Sequence, residues 1–272
     1  MKQKETELKK IEYSICKPGG NDTAFVYGMD YDKREKKLIN DIIMKEHSNV
    51  EQVGFIDFNK EPELQMAGGE FCGNATRSAA YYYLKGQEGE LTIKVNEKDH
   101  IKAGVYQNGD AWCEIPLYHG TDTIIKKEEG IYQVRMSGMV SIIIEEEEAQ
   151  KYIKSKETIK EEAMNFIKKY NLLQEEAVGV MFLENIEGKL KINPVVWVKA
   201  IDTLFYETAC GSGTTATAMV QSYLKGKSLK IEILQPSDFS IFANVTNSNN
   251  NIENVIISGK IQVISKLATM EI

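Results

Sequence analysis

The sequence lacks several features that mark common functional classes. It contains only three histidines and four cysteines, and no Cys-x-x-Cys or His-x-x-x-His pair occurs, so no metal site is expected. No apolar run is close to the roughly 18 residues that a membrane helix needs. The charged stretch Met1–Glu7 lacks the apolar segment of a secretory signal. We therefore expect a cytoplasmic protein with reduced cysteines and no membrane contact.

Basic clusters are also scarce. The net charge is −7, and the lysines are interspersed with glutamates, as in Lys126–Glu129. This balance argues against nucleic acid as a partner. Only three arginines occur, Arg34, Arg77 and Arg135. The hydrophobic fraction of 42% and the charged fraction of 27% are typical of a globular chain, and the 272 residues could form one large domain or two ordinary ones.

Two segments of the chain resemble each other, and each is centred on a cysteine. The first is Glu70–Thr76 (Glu-Phe-Cys-Gly-Asn-Ala-Thr) and the second is Thr208–Thr214 (Thr-Ala-Cys-Gly-Ser-Gly-Thr). A Tyr-Leu-Lys-Gly string follows each cysteine at nearly the same distance, at Tyr83 and at Tyr223. The repetition predicts two similar halves.

Hydrophobic periodicity predicts a mixed α/β chain. The expected helices are residues 32–46, 73–85, 158–170 and 211–225. The expected strands are residues 12–14, 24–27, 51–57, 90–95, 100–106, 111–115, 140–144, 178–183, 190–198, 229–234, 239–245 and 255–263. We predict two domains, residues 1–133 and 134–272, with the final strand able to return to the first. The helices that follow the cysteines are rich in small residues, which favours a curved sheet wrapped closely around each of them.

A thiol at the start of a helix is suited to chemistry on an anion. The free N–H groups of the first turn and the helix dipole favour negative charge there, so one of the two thiols is expected to be ionised at neutral pH. An amino-acid carboxylate could bind the amides of Gly73-Asn74 and Gly211-Ser212. Its α-carbon would then lie between Cys72 and Cys210. One sulfur could remove the α-proton while the other protonates the opposite face, which inverts the centre without a cofactor.

These motifs resemble the diaminopimelate epimerase family of amino-acid racemases that do not use pyridoxal phosphate. The resemblance includes both cysteine motifs, the Gly-Asn-Asp string at Gly20–Asp22 and the segment Glu51–Phe55. It covers nearly the whole chain. It implies catalytic roles for Cys72 and Cys210. It also implies two similar α/β (α+β) domains, each a curved and mostly antiparallel sheet around a central helix, with the active site in the cleft between them.

Three further residues are candidates for substrate binding. Asn21 could bind the substrate through its side-chain amide, or it could only shape the turn. Glu51 and Glu207 could each pair with the substrate ammonium or orient a thiol, or lie on a solvated strand end. We expect Gln52 to be a scaffold hydrogen-bonder.

Within this family, the residues around the motifs resemble those of the histidine racemases of opine-metallophore (staphylopine) biosynthesis more than those of diaminopimelate epimerases. Diaminopimelate epimerases carry a Glu-Arg pair before the second cysteine, whereas this chain has Asp202–Phe205 and no arginine after Arg135. Gly179 and Met139 stand at the approximate positions of asparagines that hold the distal amino-acid group. A neutral, planar imidazole needs only an apolar wall and one or two hydrogen bonds. Met66, Phe71, and Phe205 or Tyr206 are the candidates for that wall.

Several alternatives remain open. A diaminopimelate or lanthionine epimerase would use the same two cysteines, a dithiol redox protein would join them, and a non-catalytic binder would only retain the fold. The expected partner is a small amino acid, and a homodimer is possible. We expect core packing for Cys16 and Cys113, and surface positions for His47, His100 and His119.

Overall fold

Strands dominate the fold, and helices are few. The structure is a computed structural model that describes residues 9–96, 99–118, 120, 122–199 and 202–271, so the prediction for His119 lies outside the described residues. The helices are α1 (Lys33–Glu46), α2 (Gly73–Tyr83), α3 (Glu146–Ala149), α4 (Lys156–Lys169) and α5 (Gly211–Lys225). Within the described ranges, no helix has the length and apolar character required to cross a membrane.

The strands are distributed along the whole described chain. They are β1 (Lys10–Lys17), β2 (Asp22–Tyr27), β3 (Val50–Ile56), β4 (Glu63–Met66), β5 (Gly89–Val95), β6 (Asp99–Val105), β7 (Ala111–Glu114), β8 (Ile124–Glu128), β9 (Ile131–Met136), β10 (Met139–Ile144), β11 (Ala177–Ile186), β12 (Lys189–Val198), β13 (Thr203–Tyr206), β14 (Leu229–Leu234), β15 (Ser240–Ser248), β16 (Asn251–Gly259) and β17 (Gln262–Glu271). Most of the pairings between them are antiparallel.

The order of strand pairing repeats in the two halves. In the first half, β1 pairs with β2, β2 runs parallel to β3 across α1, β3 pairs with β4, β4 runs parallel to β5 across α2, and β5, β6 and β7 are antiparallel neighbours. In the second half, β9, β10, β11, β12, β14, β15 and β16 pair in the same order, with α4 and α5 at the two crossovers. The predicted α/β fold with two similar halves is confirmed.

The two halves are joined by shared strands. Strand β7 pairs with β16. Strand β8 follows the first half in the chain but pairs with β9 of the second half. Strand β17 follows the second half and pairs with β1 of the first half. The predicted division at residues 133 and 134 falls inside β9, so the assignment of domains stays a prediction.

Helices α2 and α5 lie at the centre of the two halves. Helix α2 packs against β5, β6 and β7, and α5 packs against strands on several sides, including β9, β10, β14, β15 and β16. Their buried residues are mostly Gly, Ala, Ser and Thr, so the strands can approach the helix backbone closely. The two helices also contact each other. This arrangement confirms the prediction of a central helix in each half.

Some elements differ from the sequence prediction. The single strand expected at residues 255–263 is two strands, since β16 ends at Gly259 and β17 begins at Gln262. The hairpin of β8 and β9 was not predicted, because the charged residues Lys126–Glu128 occupy exposed positions in β8 and hide its periodicity. The short strands β4 and β13 were also missed.

Candidate active site

Cys72 and Cys210 occupy equivalent positions at the starts of α2 and α5. Each is the N-cap residue of its helix, with φ and ψ of −129° and 113° at Cys72 and −129° and 110° at Cys210. The sulfur of Cys72 accepts a hydrogen bond from the N–H of Ala75 at 3.4 Å, and the sulfur of Cys210 accepts one from Gly213 at 3.2 Å. Both thiols therefore lie against free N–H groups of a first helical turn, as the motif predicted.

The starts of α2 and α5 both pack against the side chain of Ile257. A Cβ atom added to Gly73 would lie 2.8 Å from Cδ1 of Ile257, and one added to Gly211 would lie 3.1 Å from the same atom. A Cβ on Gly211 would also lie 3.4 Å from the backbone nitrogen of Asn74. Glycine at both positions lets the two cysteine turns approach each other. The sequence-predicted residues Gly73, Asn74 and Gly211 therefore lie at one place.

The structure does not support the expectation that one thiol is ionised at neutral pH. Burial raises the pKa of Cys72 to about 11 and raises the pKa of Cys210 well above its ordinary value. The N–H groups of the helix starts oppose this shift but do not overcome it. Both cysteines are free thiols. An ionised thiol at this site therefore requires a neighbour that takes the proton.

Glu207 lies beside Cys210 and raises the pKa of its thiol further. Its carboxyl group is hydrogen-bonded to the Cys210 thiol, and burial raises its pKa to about 7, with the negative charges of Glu51 and Glu70 adding to the shift. The sulfur of Cys210 also lies 3.2 Å from Oγ of Ser212. Of the two roles considered for Glu207, the structure favours the contact with a thiol.

Cys72 has a different neighbour, the amide of Gln52. The Gln52 side chain is hydrogen-bonded to the Cys72 sulfur and lowers the pKa of that thiol. Its Nε2 also donates to Oγ1 of Thr23 at 2.7 Å. Gln52 was predicted to be a scaffold residue, but it also contacts a reactive group directly.

Asn21 and Glu51 lie where the first half contacts the loop before Cys210. The backbone N–H of Asn21 donates to Oγ1 of Thr208 at 2.8 Å, and its Nδ2 donates to the carbonyl of Ala209 at 3.2 Å. Glu51 accepts a hydrogen bond from the Thr208 hydroxyl. Both predicted residues therefore connect the two halves beside Cys210.

Two buried side-chain atoms at this junction have no hydrogen-bond partner among the described residues. They are Oδ1 of Asn21 and Nδ2 of Asn74, on side chains that are 7% and 0% exposed. One atom is an acceptor and the other is a donor. Buried polar atoms are normally paired, so these two are available to the ammonium and carboxylate groups of a ligand.

Gln235 and Thr208 are site residues that the sequence analysis missed. Gln235 is fully buried, its Oε1 accepts from the N–H of Cys210 at 3.0 Å, and its Nε2 donates to Oγ1 of Thr214 at 3.1 Å. It therefore fixes the turn that carries Cys210. No local pattern indicated it, because its contact with Cys210 joins segments that are 25 residues apart.

The side-chain wall differs in part from the prediction. Tyr206 donates its hydroxyl to Oδ1 of Asn193 at 2.7 Å and packs with the residues under α4, and Phe205 is half exposed. Met181 packs against the start of α5, since a Cβ on Gly213 would lie 2.4 Å from its Sδ and 3.2 Å from the Cys210 sulfur.

The remaining cysteines are core residues, and the Cys113 thiol donates to the carbonyl of Gly73 at 3.3 Å. Cys16 and Cys113 are fully buried in the core, as predicted. His100 is exposed, and His47 is partly exposed with its Nε2 2.8 Å from the Tyr13 hydroxyl.

Comparisons with known proteins point to one family. The family model described as "Histidine racemase CntK N-terminal domain" matches residues 10–268. A histidine racemase of Fusobacterium nucleatum subsp. nucleatum is 32% identical over 277 residues, covering 95% of this chain and 99% of the relative. A histidine racemase of Staphylococcus aureus (strain Mu50) is 24% identical, covering 81% and 83%.

Solved structures show the same fold at lower identity. A putative phenazine biosynthesis PhzC/PhzF protein from Clostridium difficile (strain 630) has a TM-score of 0.62 at 16% identity, covering 96% of this chain and 100% of that one. A hydroxyproline epimerase from Agrobacterium vitis has a TM-score of 0.61 at 11% identity, covering 98% and 93%. The extent of the family match and the identity to the Fusobacterium relative together place the chain in the histidine racemase family, and it is an isomerase of the class of racemases that do not use pyridoxal phosphate.

Proposed function

We propose that the protein inverts the α-carbon of an amino acid with Cys72 and Cys210 as its acid and base, and that histidine is its preferred substrate. One observation carries the proposal: Cys72 and Cys210 each cap the start of a helix, and both helix starts pack against Ile257. A planar carbanion needs a proton donor and an acceptor on opposite faces, and two thiols at facing helix starts supply them.

The substrate carboxylate binds the N–H groups of Gly73, Asn74, Gly211 and Ser212. The dipoles of α2 and α5 both favour negative charge at this point. Nδ2 of Asn74 is a further donor for the carboxylate, and Oδ1 of Asn21 accepts from the substrate ammonium. The same N–H groups stabilise the charge that develops as the α-proton leaves.

The proton steps follow from the different neighbours of the two thiols. Glu207 accepts the proton of Cys210, and the resulting thiolate removes the α-proton from one face of the substrate. The Cys72 thiol then donates its proton to the other face, and the amide of Gln52 stabilises the Cys72 thiolate that remains. In the reverse direction the two sulfurs exchange roles.

The choice of histidine rests on family membership and on the three arginines, none of which, among the described contacts, is placed to pair with a distal carboxylate. Arg135 is ion-paired with Glu175, Arg34 is on α1, and all the hydrogen bonds of the buried Arg77 go to oxygen atoms of the protein. Leaving a distal carboxylate unpaired in a closed site would cost several kcal/mol. An imidazole ring can instead contact Met181 and the neighbouring Met139.

Turnover of two amino acids separates this proposal from its nearest alternative. The purified protein is incubated under reducing conditions, without added pyridoxal phosphate, with L-histidine or with meso-diaminopimelate. We expect kcat/KM for histidine to be at least about tenfold higher, which corresponds to about 1.4 kcal/mol. Equal or faster turnover of diaminopimelate would exclude histidine as the preferred substrate and leave the two-cysteine mechanism intact. No racemisation of any common amino acid would exclude the mechanism as well.

A further inference from the structure

Arg77 is the largest fully buried side chain among the described residues, and no carboxylate among them forms an ion pair with it. It lies on α2 close to Cys72 and is 0% exposed. Its Nη1 donates to the carbonyl of Gly259 at 2.9 Å, and its Nη2 donates to the carbonyl of Pro18 at 2.6 Å. Within the described ranges, no Asp or Glu is ion-paired with it. A buried cation without a counter-charge is expensive, which points to a use for its charge.

The remaining donors of Arg77 determine the orientation of Asn74. Nε and Nη2 both donate to Oδ1 of Asn74, at 3.3 Å and 3.1 Å. Because two N–H groups of a cation point at Oδ1, the Nδ2 group of Asn74 must point the other way. Nδ2 is the buried donor that has no partner among the described residues. Arg77 therefore holds an unused N–H donor in a fixed direction at the start of α2.

The side chain of Asn74 also lies against the second cysteine turn. A Cβ on Gly211 would lie 3.4 Å from Oδ1 of Asn74, so the amide is packed against the start of α5. The nearby thiols are neutral because burial raises their pKa values, to about 11 at Cys72 and to about 12 at Cys16 and Cys113. Burial lowers the pKa of Arg77 to about 10, which leaves the guanidinium charged at neutral pH. The site thus contains a positive charge that forms no ion pair with a described carboxylate, and the negative charge of Asp110 raises its pKa.

We propose that Arg77 is a positioning residue for the substrate carboxylate, which it reaches through the amide of Asn74. The guanidinium fixes Oδ1 of Asn74 and thereby presents Nδ2 to the carboxylate. Its charge also offsets the carboxylate that enters and the thiolate that forms during the reaction. This inference rests on the proposed function, because it requires an amino-acid carboxylate between the two cysteine turns.

The test compares a ligand that carries the carboxylate with one that lacks it. Binding of DL-histidine and of L-histidinol, in which a hydroxymethyl group replaces the carboxylate, is measured by calorimetry for the wild type, Arg77→Met, Arg77→Lys and Arg135→Met. We expect Arg77→Met to weaken histidine binding at least tenfold and histidinol binding less than twofold. Arg77→Lys should weaken histidine binding by an intermediate factor. Arg135→Met, which breaks the ion pair with Glu175, is the matched control and should change neither affinity.

A folded Arg77→Met protein that loses affinity for both ligands equally, or for neither, would overturn the proposal. If the Arg77→Met variant does not fold, an NMR measurement on the wild type tests the same inference. The chain has three arginines, and Arg34→Lys and Arg135→Lys assign two of their ¹⁵Nε–H signals, which leaves that of Arg77. Histidine should shift the Arg77 signal and histidinol should not; no shift with histidine, or equal shifts with both, contradicts the inference.

The outcomes also separate this inference from the proposed function. If the wild type racemises another amino acid but not histidine, the substrate assignment fails. The same comparison, made with that amino acid and its amino alcohol, then decides the role of Arg77.

Discussion

Cys72 and Cys210 have the same backbone geometry but opposite kinds of neighbour. A carboxyl group that can accept a proton contacts Cys210, and an amide that can donate a hydrogen bond contacts Cys72. The two neighbours act in opposite directions, because the Gln52 amide lowers the pKa of Cys72 and the Glu207 carboxylate raises that of Cys210. In the proposed mechanism Glu207, whose pKa is about 7, must be ionised to accept the Cys210 proton.

Removal of Glu207 should change the pH dependence of racemisation. Below pH 7 the carboxyl group is protonated and cannot accept the Cys210 proton, so kcat/KM of the wild type should fall as the pH drops below about 7. Glu207→Gln should lower kcat by about a hundredfold or more and abolish this acidic limb. Glu51→Gln is the control, since it leaves the Glu207 carboxylate in place; it should retain the limb, displaced to lower pH because the Glu51 charge raises the pKa of Glu207. An unchanged limb in Glu207→Gln would exclude the proton transfer.

Replacement of either cysteine should abolish racemisation in both directions. Each enantiomer needs one base and one acid, so Cys72→Ala and Cys210→Ala should each lower kcat at least about a thousandfold. Serine can donate a proton but is a poor base, so either serine variant should retain slow exchange in one direction at most. Chiral chromatography measures the racemisation, with circular dichroism as the check on folding. Full activity in either alanine variant contradicts the acid-base assignment.

At the level of elements, the turn between β1 and β2 positions the second cysteine loop. Gly20 has a φ of +103°, and a Cβ there would lie 2.8 Å from the carbonyl oxygen of Thr208 and 2.9 Å from Cβ of Ala209. Asn21 continues the contact through its hydrogen bonds to the same loop. The turn is therefore part of the contact between the halves as well as a connection between strands.

Alanine at Gly20 should destabilise the protein more than alanine at a glycine with a similar φ and open space. Gly109 is the matched control, because its φ is +85° and nothing lies within 4 Å of a Cβ added there. Gly109→Ala should cost about 1 kcal/mol from backbone strain alone. Gly20→Ala should cost about 2–4 kcal/mol, since the contact with Thr208 and Ala209 adds an overpacking penalty. Urea denaturation measures both, and equal losses would contradict the tight contact.

At the level of the whole molecule, the sequence predicted the duplication but not the contacts between its copies. The two cysteine motifs predicted α2, α5 and the two similar halves, because each motif is local in the chain. The burial that opposes ionisation of the thiols is a property of the assembled fold, so the motifs alone did not indicate it. The contacts of Gln235 with Cys210 and of Arg77 with Gly259 join segments that are distant in sequence, so no local pattern indicates them. The domain boundary and the homodimer stay predictions.

Deuterium labelling tests the claim that two sulfurs act on opposite faces of one α-carbon. The wild type is incubated with L-histidine in deuterium oxide, and both enantiomers are separated at early times and analysed by mass spectrometry. The α-proton should be lost to one sulfur while the other delivers deuterium from solvent. We therefore predict that nearly every D-histidine molecule carries one deuterium at the α-carbon while the remaining L-histidine is still unlabelled. D-histidine that retains the original protium, or deuterium that enters L-histidine as fast as D-histidine forms, would show that a single group moves the proton and would contradict the two-cysteine mechanism.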